Sequence, residues 1–92
     1  MLPETIIIII AESEWMYMLN EIDIHGYTVA EAKQQLDRYL DQLPLSIHEI
    51  TVIHGFQRGT VLQQFVRKNY RHPRLVRTML SMNKGQTTLL LK

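Results

Sequence analysis

Two histidines, each followed by glycine, close two short β-branched runs. Ile22-Asp23-Ile24 leads into His25-Gly26, and Ile50-Thr51-Val52-Ile53 leads into His54-Gly55. Imidazole exchanges a proton near neutral pH. Residues two apart on a strand project to the same side, so Asp23 and His25 read as an acid–base pair in which the carboxylate sets tautomer and basicity. His54 stands at the matching point of the second run. Two imidazoles and a carboxylate at strand-to-helix corners supply a general base and a general acid, and helix N-termini behind them supply N–H groups for anionic oxygen. Phosphodiester cleavage needs this set, and Arg58 in the second loop adds a fork for phosphate. The same atoms could instead ligate a metal, because two His and one Asp make a three-ligand set. Without Cys or close His spacing, that reading ranks second. No cofactor is demanded by these residues, and a divalent ion such as Mg is compatible with them. A lone His before a strand-ending Gly is more often an ordinary loop residue; the matching of two corners carries the functional reading.

Positioning these groups requires two crossover units. Ile22 and Ile24 alternate with Glu21 and Asp23, as in a half-buried strand. Thr28-Val29-Ala30-Glu31 has the capping-box pattern, and Val29, Ala32, Leu36, Tyr39, Leu40 and Leu43 recur at helical spacing up to Pro44. Residues 47–54 predict the next strand. Val61, Leu62, Phe65, Val66 and Tyr70 predict a second amphipathic helix starting at Gly59 or Thr60. Residues 75–82 and 87–91 predict a hairpin closed by Asn83-Lys84-Gly85-Gln86. The order is βαβαββ, with both helices expected on one face of the sheet. Residues 5–10, Thr followed by five Ile, read as an additional strand, and 11–20 as a short helix. The Ile run is a candidate homodimer interface, because an uncovered apolar strand invites pairing.

At 92 residues the chain is one domain. It has no Cys, which excludes a disulfide framework and thiolate chemistry. Its longest apolar run, Ile6 to Ala11, is far short of the ~20 residues of a membrane span, so no membrane partner and a cytoplasmic location are expected. The net charge of +1 hides an asymmetry. Up to Glu49 there are nine acids and two bases; from Ile50 onward there are eight Lys or Arg and no acid. Eight cations without an interleaved acid suggest a polyanion-binding face. The alternative is that the two halves neutralise each other across the fold.

These motifs resemble the small MutS-related (Smr) domain family, whose hallmarks are a Leu-Asp-Leu-His-Gly type motif and a later His-Gly-x-Gly-x-Gly motif opening the second helix. The first stands here as Ile22-Asp23-Ile24-His25-Gly26. The helix residues Ala32 and Leu36, the Val52-Ile53-His54-Gly55 run, His72-Pro73 and Asn83-x-Gly85-x-Thr87 agree as well. The resemblance covers roughly Glu21 to Lys92, which divides the chain into an N-terminal extension, 1–20, and a domain, 21–92, in a stand-alone form. It implies a two-layer α/β sandwich with a four-stranded mixed sheet, similar to the C-terminal domain of translation initiation factor three. It also implies nucleic-acid binding and, in several members, endonuclease activity on DNA or RNA. Carried over, the motif residues are Asp23, His25 and His54 for chemistry, with Gly26, Gly55 and Gly59. Tyr27, Gln57, Arg58, Arg67, Arg71 and Arg74 join them as candidates for contact with bases or phosphates. Gln57 departs from the pattern: it stands where the middle Gly is usual, with one extra residue before Leu62. Gly there lets backbone approach a phosphate, so Gln57 favours a second reading, a non-catalytic module that grips RNA, including on ribosomes.

Overall fold

Alternating apolar residues give each of two short strands one greasy face. In the computed structural model, which describes residues 20–57 and 59–92, these are β1 (Glu21–Asp23) and β2 (Glu49–Ile53), adjacent and parallel. β3 (Leu75–Leu80) and β4 (Gln86–Leu91) form the hairpin, and the sheet order is β1-β2-β4-β3. β4 lies between β2 and β3 and runs antiparallel to both. The expected two-layer, four-stranded mixed sheet is thus what forms. The expectations for residues 5–10, with the homodimer resting on them, for 11–19 and for Arg58 lie outside the described residues.

The core occupies one face. Ile50 pairs with Leu89, and Val52 pairs with both Thr87 and Ile22. Ile50, Val52, Leu89 and Thr87 are fully buried, whereas the alternate residues Thr51, Ile53, Thr88 and Leu90 are only half-buried. Both helices therefore cover the first set. Helix α1 (Val29–Gln42) starts as its capping box dictates: Glu31 N donates to Thr28 Oγ1 at 3.1 Å, and Thr28 N donates to Glu31 Oε1 at 2.9 Å. Its inward stripe is Ala32, Leu36 and Leu40, and it stops at Leu43, ahead of Pro44.

Helix α2 is less regular than its periodicity predicts. Val61–Gln64 is α-helical, and Phe65–Asn69 continues as a π turn closed by Tyr70 N donating to Phe65 O at 2.8 Å. The wider turn lets neighbouring Phe65 and Val66 both reach the core while Arg67 turns toward β4. β2 and β3 are shorter than the predicted 47–54 and 75–82, whereas β4 starts one residue before the predicted 87–91. Ile47 stays outside β2 because its carbonyl accepts from Arg74 at 2.8 Å. Leu75–Leu80 is an edge strand with Val76 and Leu80 exposed.

Candidate functional site

The two His-Gly corners are out of phase by one residue. β1 and β2 pair Ile22 with Val52 and Asp23 with Ile53. Continuing that register sets Ile24 beside His54 and His25 beside Gly55. Ile24 donates its N–H to Ile53 O at 2.8 Å, and a Cβ on Gly55 would stand 3.7 Å from His25 Cβ. His54 therefore follows Val52 onto the core face, and His25 follows Asp23 onto the other. The matched corners expected from the sequence abut, but their imidazoles have opposite environments.

The first corner is open. Asp23 Oδ1 accepts from His25 N at 3.0 Å and from His25 Nδ1 at 2.6 Å. The side chains are 71% and 51% exposed for His25 and Asp23. The hydrogen bond from His25, opposed by slight burial, holds the Asp23 carboxyl below its usual range. Because the carboxylate only accepts, Nδ1 carries the proton and Nε2 is left for other work. Gly26, at φ 81°, makes the turn into Thr28. The anion-attracting N-terminus expected behind this corner is partly neutralised by Glu31, whose carboxylate caps it. At α2 the N-cap residue Thr60 makes no side-chain cap bond.

The second corner is closed. His54 is 4% exposed. Its Nδ1 lies 2.8 Å from Gly55 O, its Nε2 lies 2.8 Å from Thr87 Oγ1, and Arg67 Nε donates to that same hydroxyl at 2.8 Å. A carbonyl can only accept, so Nδ1 is the donor and Nε2 accepts a hydrogen bond from the Thr87 hydroxyl. Burial pushes the His54 pKa down, with Arg67 adding to the effect, and the contact with Gly55 opposes it only in part. His54 is thus a neutral ring with both nitrogens engaged. Neither nitrogen is free for the part of second acid or base expected from the sequence, and the ring, tied to the loop through Gly55 O, braces it. The hairpin turn completes the brace, as Gly85 O accepts from His54 N and Gly55 N, both at 2.9 Å. Gly85 admits no side chain cheaply, since its Cβ would lie 3.3 Å from Gly55 Cα. Sequence reasoning misses Thr87 as a contributor. Its signal is its place in Asn83-x-Gly85-x-Thr87, a stretch that the strand pairing sets opposite Val52.

Between the corners lies an open hollow of about 730 Å³. His25, Gly26, Tyr27, His54, Gly55, Gln57 and Gly59 line it, joined by Phe56 and Asn83. Tyr27 and Phe56 are each 41% exposed, as aromatic platforms for stacking must be. Gly59, at φ 129°, sits where glycine is favoured. Seven of the predicted residues are therefore brought together. Arg67 sits behind them, bound to Thr87 and, at 3.0 Å, to Gln86 O.

Arg74, also expected at the binding face, is engaged elsewhere. Its guanidinium donates to Leu43 O at 2.9 Å, Ile47 O at 2.8 Å and Lys92 O at 3.2 Å. It ties together the end of α1, the approach to β2 and the end of β4, at the opposite end of the sheet from the hollow. Arg71 is also remote from it, donating to Lys68 O and Tyr70 O. The metal alternative loses its ligand set: His54 has no free nitrogen, and no group of three His, Cys, Asp or Glu among the described residues is placed to hold an ion. Among the described residues the Lys and Arg of the second half form no ion pair with the acids of the first; the ion pairs are Asp23–His25, Lys33–Asp37 and Asp41–His72. No helix among the described residues is long and apolar enough to cross a membrane.

A βαβαββ sandwich with an open hollow of mixed polar and apolar lining at the end of its parallel strand pair defines a small α/β domain built around strand-to-helix corners. A profile of the Smr domain matches residues 22–88, and the chain belongs to that family. It is 41% identical over 59 residues to an endonuclease MutS2 of Staphylococcus epidermidis, covering 63% of this chain and 7% of the relative. It is 38% identical over 56 residues to an endonuclease MutS2 of Acetivibrio thermocellus, covering 56% of this chain and 7% of the relative. The chain thus spans a small fraction of the length of these curated relatives. Its fold matches the crystal structure of the Smr domain of Thermus thermophilus MutS2 with a TM-score of 0.65 and 26% identity, over 78% of this chain and 96% of the other.

Proposed function

We propose that the chain binds nucleic acid across the corner hollow and cleaves phosphodiester bonds in DNA or RNA, with Asp23 and His25 as the acid–base pair. The observation that carries this reading is the 2.6 Å contact between Asp23 Oδ1 and His25 Nδ1 at the exposed rim of the hollow. With Nδ1–H held by the carboxylate, Nε2 takes a proton from the attacking water or, in RNA, from a 2′-hydroxyl. The imidazolium so formed is stabilised by Asp23 and returns the proton to the leaving oxygen. Tyr27 and Phe56 offer faces to bases, and the Lys and Arg of residues 50–92, none of which meets a carboxylate among the described residues, attract the backbone. Residues 21–92 act as the domain, with 1–20 as an extension. The two MutS2 relatives are named as endonucleases, which supports the reaction class.

A second reading is favoured by a specific observation. His54 has no free nitrogen and Gln57 lines the hollow, so one imidazole is available where a two-step proton transfer would use two. On that reading the surface holds RNA, ribosomal RNA included, without cutting it. The purified chain incubated with labelled single-stranded RNA, structured RNA and duplex DNA, with and without EDTA, separates the two. Strand scission supports the first, salt-sensitive binding without scission supports the second, and the absence of both overturns the nucleic-acid reading.

A further inference from the structure

A second hollow, about 220 Å³, lies between the later half of α2 and the start of β3. Arg67, Tyr70, Arg71, His72, Arg77 and Thr78 are in its wall, and among the described residues no carboxylate is. The three guanidiniums differ in how much of their donor capacity the fold uses. Arg67 employs Nε and one terminal nitrogen, and Arg71 employs one terminal nitrogen on two carbonyls. Arg77 is exposed and makes no hydrogen bond or ion pair among the described residues. A guanidinium has five N–H donors in a fork suited to phosphate oxygen, so most of this capacity is unclaimed. The nearby acids face other groups: Asp37 accepts from Tyr70 and Lys33, and Asp41 meets His72.

The two hollows have no lining residue in common but are linked through one arginine. Arg67 lines the second and, through Thr87, supports His54 in the first. Leu62, in the first turn of α2, lines the first hollow, and Tyr70, which closes the helix, lines the second, a span on the order of 10 Å. That is the rise of about three nucleotides at 3.4 Å per step.

We propose that the α2–β3 hollow is a phosphate seat in which Arg71 and Arg77 grip the backbone of the same strand whose bases and scissile bond occupy the corner hollow. It rests on the nucleic-acid reading above and extends that footprint along α2. The seat contributes affinity and register rather than sequence readout, as backbone contacts do. Arg77 is the cleanest probe, because its side chain holds nothing else among the described residues.

The test is fluorescence anisotropy with a labelled single strand long enough to span both hollows, titrated at several salt concentrations. Wild type is compared with Arg77→Ala, Arg71→Ala and, as a control, Arg38→Ala, an exposed cation on α1. Losing one phosphate contact should reduce the slope of log K against log salt by about 0.7 for a single strand. That corresponds to roughly fivefold weaker binding at 0.1 M salt relative to 1 M. Arg77→Ala should show this with its melting temperature unchanged, and Arg71→Ala should follow it, while Arg38→Ala should not. An unchanged slope in Arg77→Ala, or an equal drop in Arg38→Ala, overturns the seat while leaving the corner reading intact. Wild type that binds no strand at any salt overturns both.

Discussion

Nε2 of His54 accepts a hydrogen bond from the Thr87 hydroxyl at 2.8 Å, inside the protein, while the other histidine of the pair faces outward. That hydroxyl also accepts from Arg67. Thr87→Val removes both bonds and leaves a ring nitrogen and a guanidinium N–H without partners in a buried place. We expect a loss of about 1–3 kcal/mol, read by denaturant titration, with Thr87→Ser keeping most of the stability. A Thr87→Val protein as stable as wild type would contradict the brace.

The depressed pKa of His54 has a sign that can be checked. The unfolded ring protonates near the ordinary value of about 6.5, and the folded ring resists until lower pH. Stability from this group is complete above that value and declines as pH falls toward the folded pKa, by at most about 1.4 kcal/mol per pH unit. The lowered Asp23 and Asp37 carboxyls act only below about pH 4. Denaturant midpoints followed from pH 7 to pH 5 should therefore decline for wild type and flatten for His54→Gln. Identical slopes would remove His54 as the cause.

Arg74 should separate from the nucleic-acid surface. Its three carbonyl partners join α1, β2 and β4, and hydrogen bonds to charged groups are worth about 1.5–3 kcal/mol each. Arg74→Met should lower the melting temperature clearly, yet leave the salt slope of binding unchanged where the variant is folded. A slope that falls as for Arg77→Ala would return Arg74 to the binding face.

Gly26 stands at φ 81°, and a Cβ added there would meet no atom within 4 Å. Backbone strain alone should act there, so Gly26→Ala should cost about 1–2 kcal/mol. A change within error in the unfolding free energy would mean the corner relaxes to a right-handed turn.

Much of this fold is legible in the sequence because local signals agree. Thr28 and Glu31 announce the start of α1 and cap it as a reciprocal pair, and the alternation in Ile22/Ile24 and Ile50/Val52 marks two strands and their inner faces. The fate of His54 is also written there. His25 follows the buried Ile24 by one residue, and His54 follows the buried Val52 by two, so the pleat sends them to opposite faces. Treating the two His-Gly pairs as equivalent hides that parity. The π turn and the roles of Arg67 and Arg74 are not legible. Each arginine depends on partners 18 to 31 residues away that only the tertiary structure supplies.

Asp23 and His25 are exposed enough to be changed without unfolding the domain. Asp23→Asn keeps the shape but loses the charge that steadies the imidazolium. Single-turnover cleavage should slow by a factor on the order of 10²–10⁴, with binding retained. A rate within twofold or so of wild type would leave Asp23 no part in orienting His25.

The central claim is that one of the two imidazoles does chemistry and the other holds the loop. Single-turnover cleavage of a labelled strand by wild type and His25→Ala, at matched occupancy and with melting curves for both, tests it most directly. The account predicts that His25→Ala melts and binds as wild type does while its cleavage falls by at least about a hundredfold. Undiminished cleavage by a folded His25→Ala protein would contradict it.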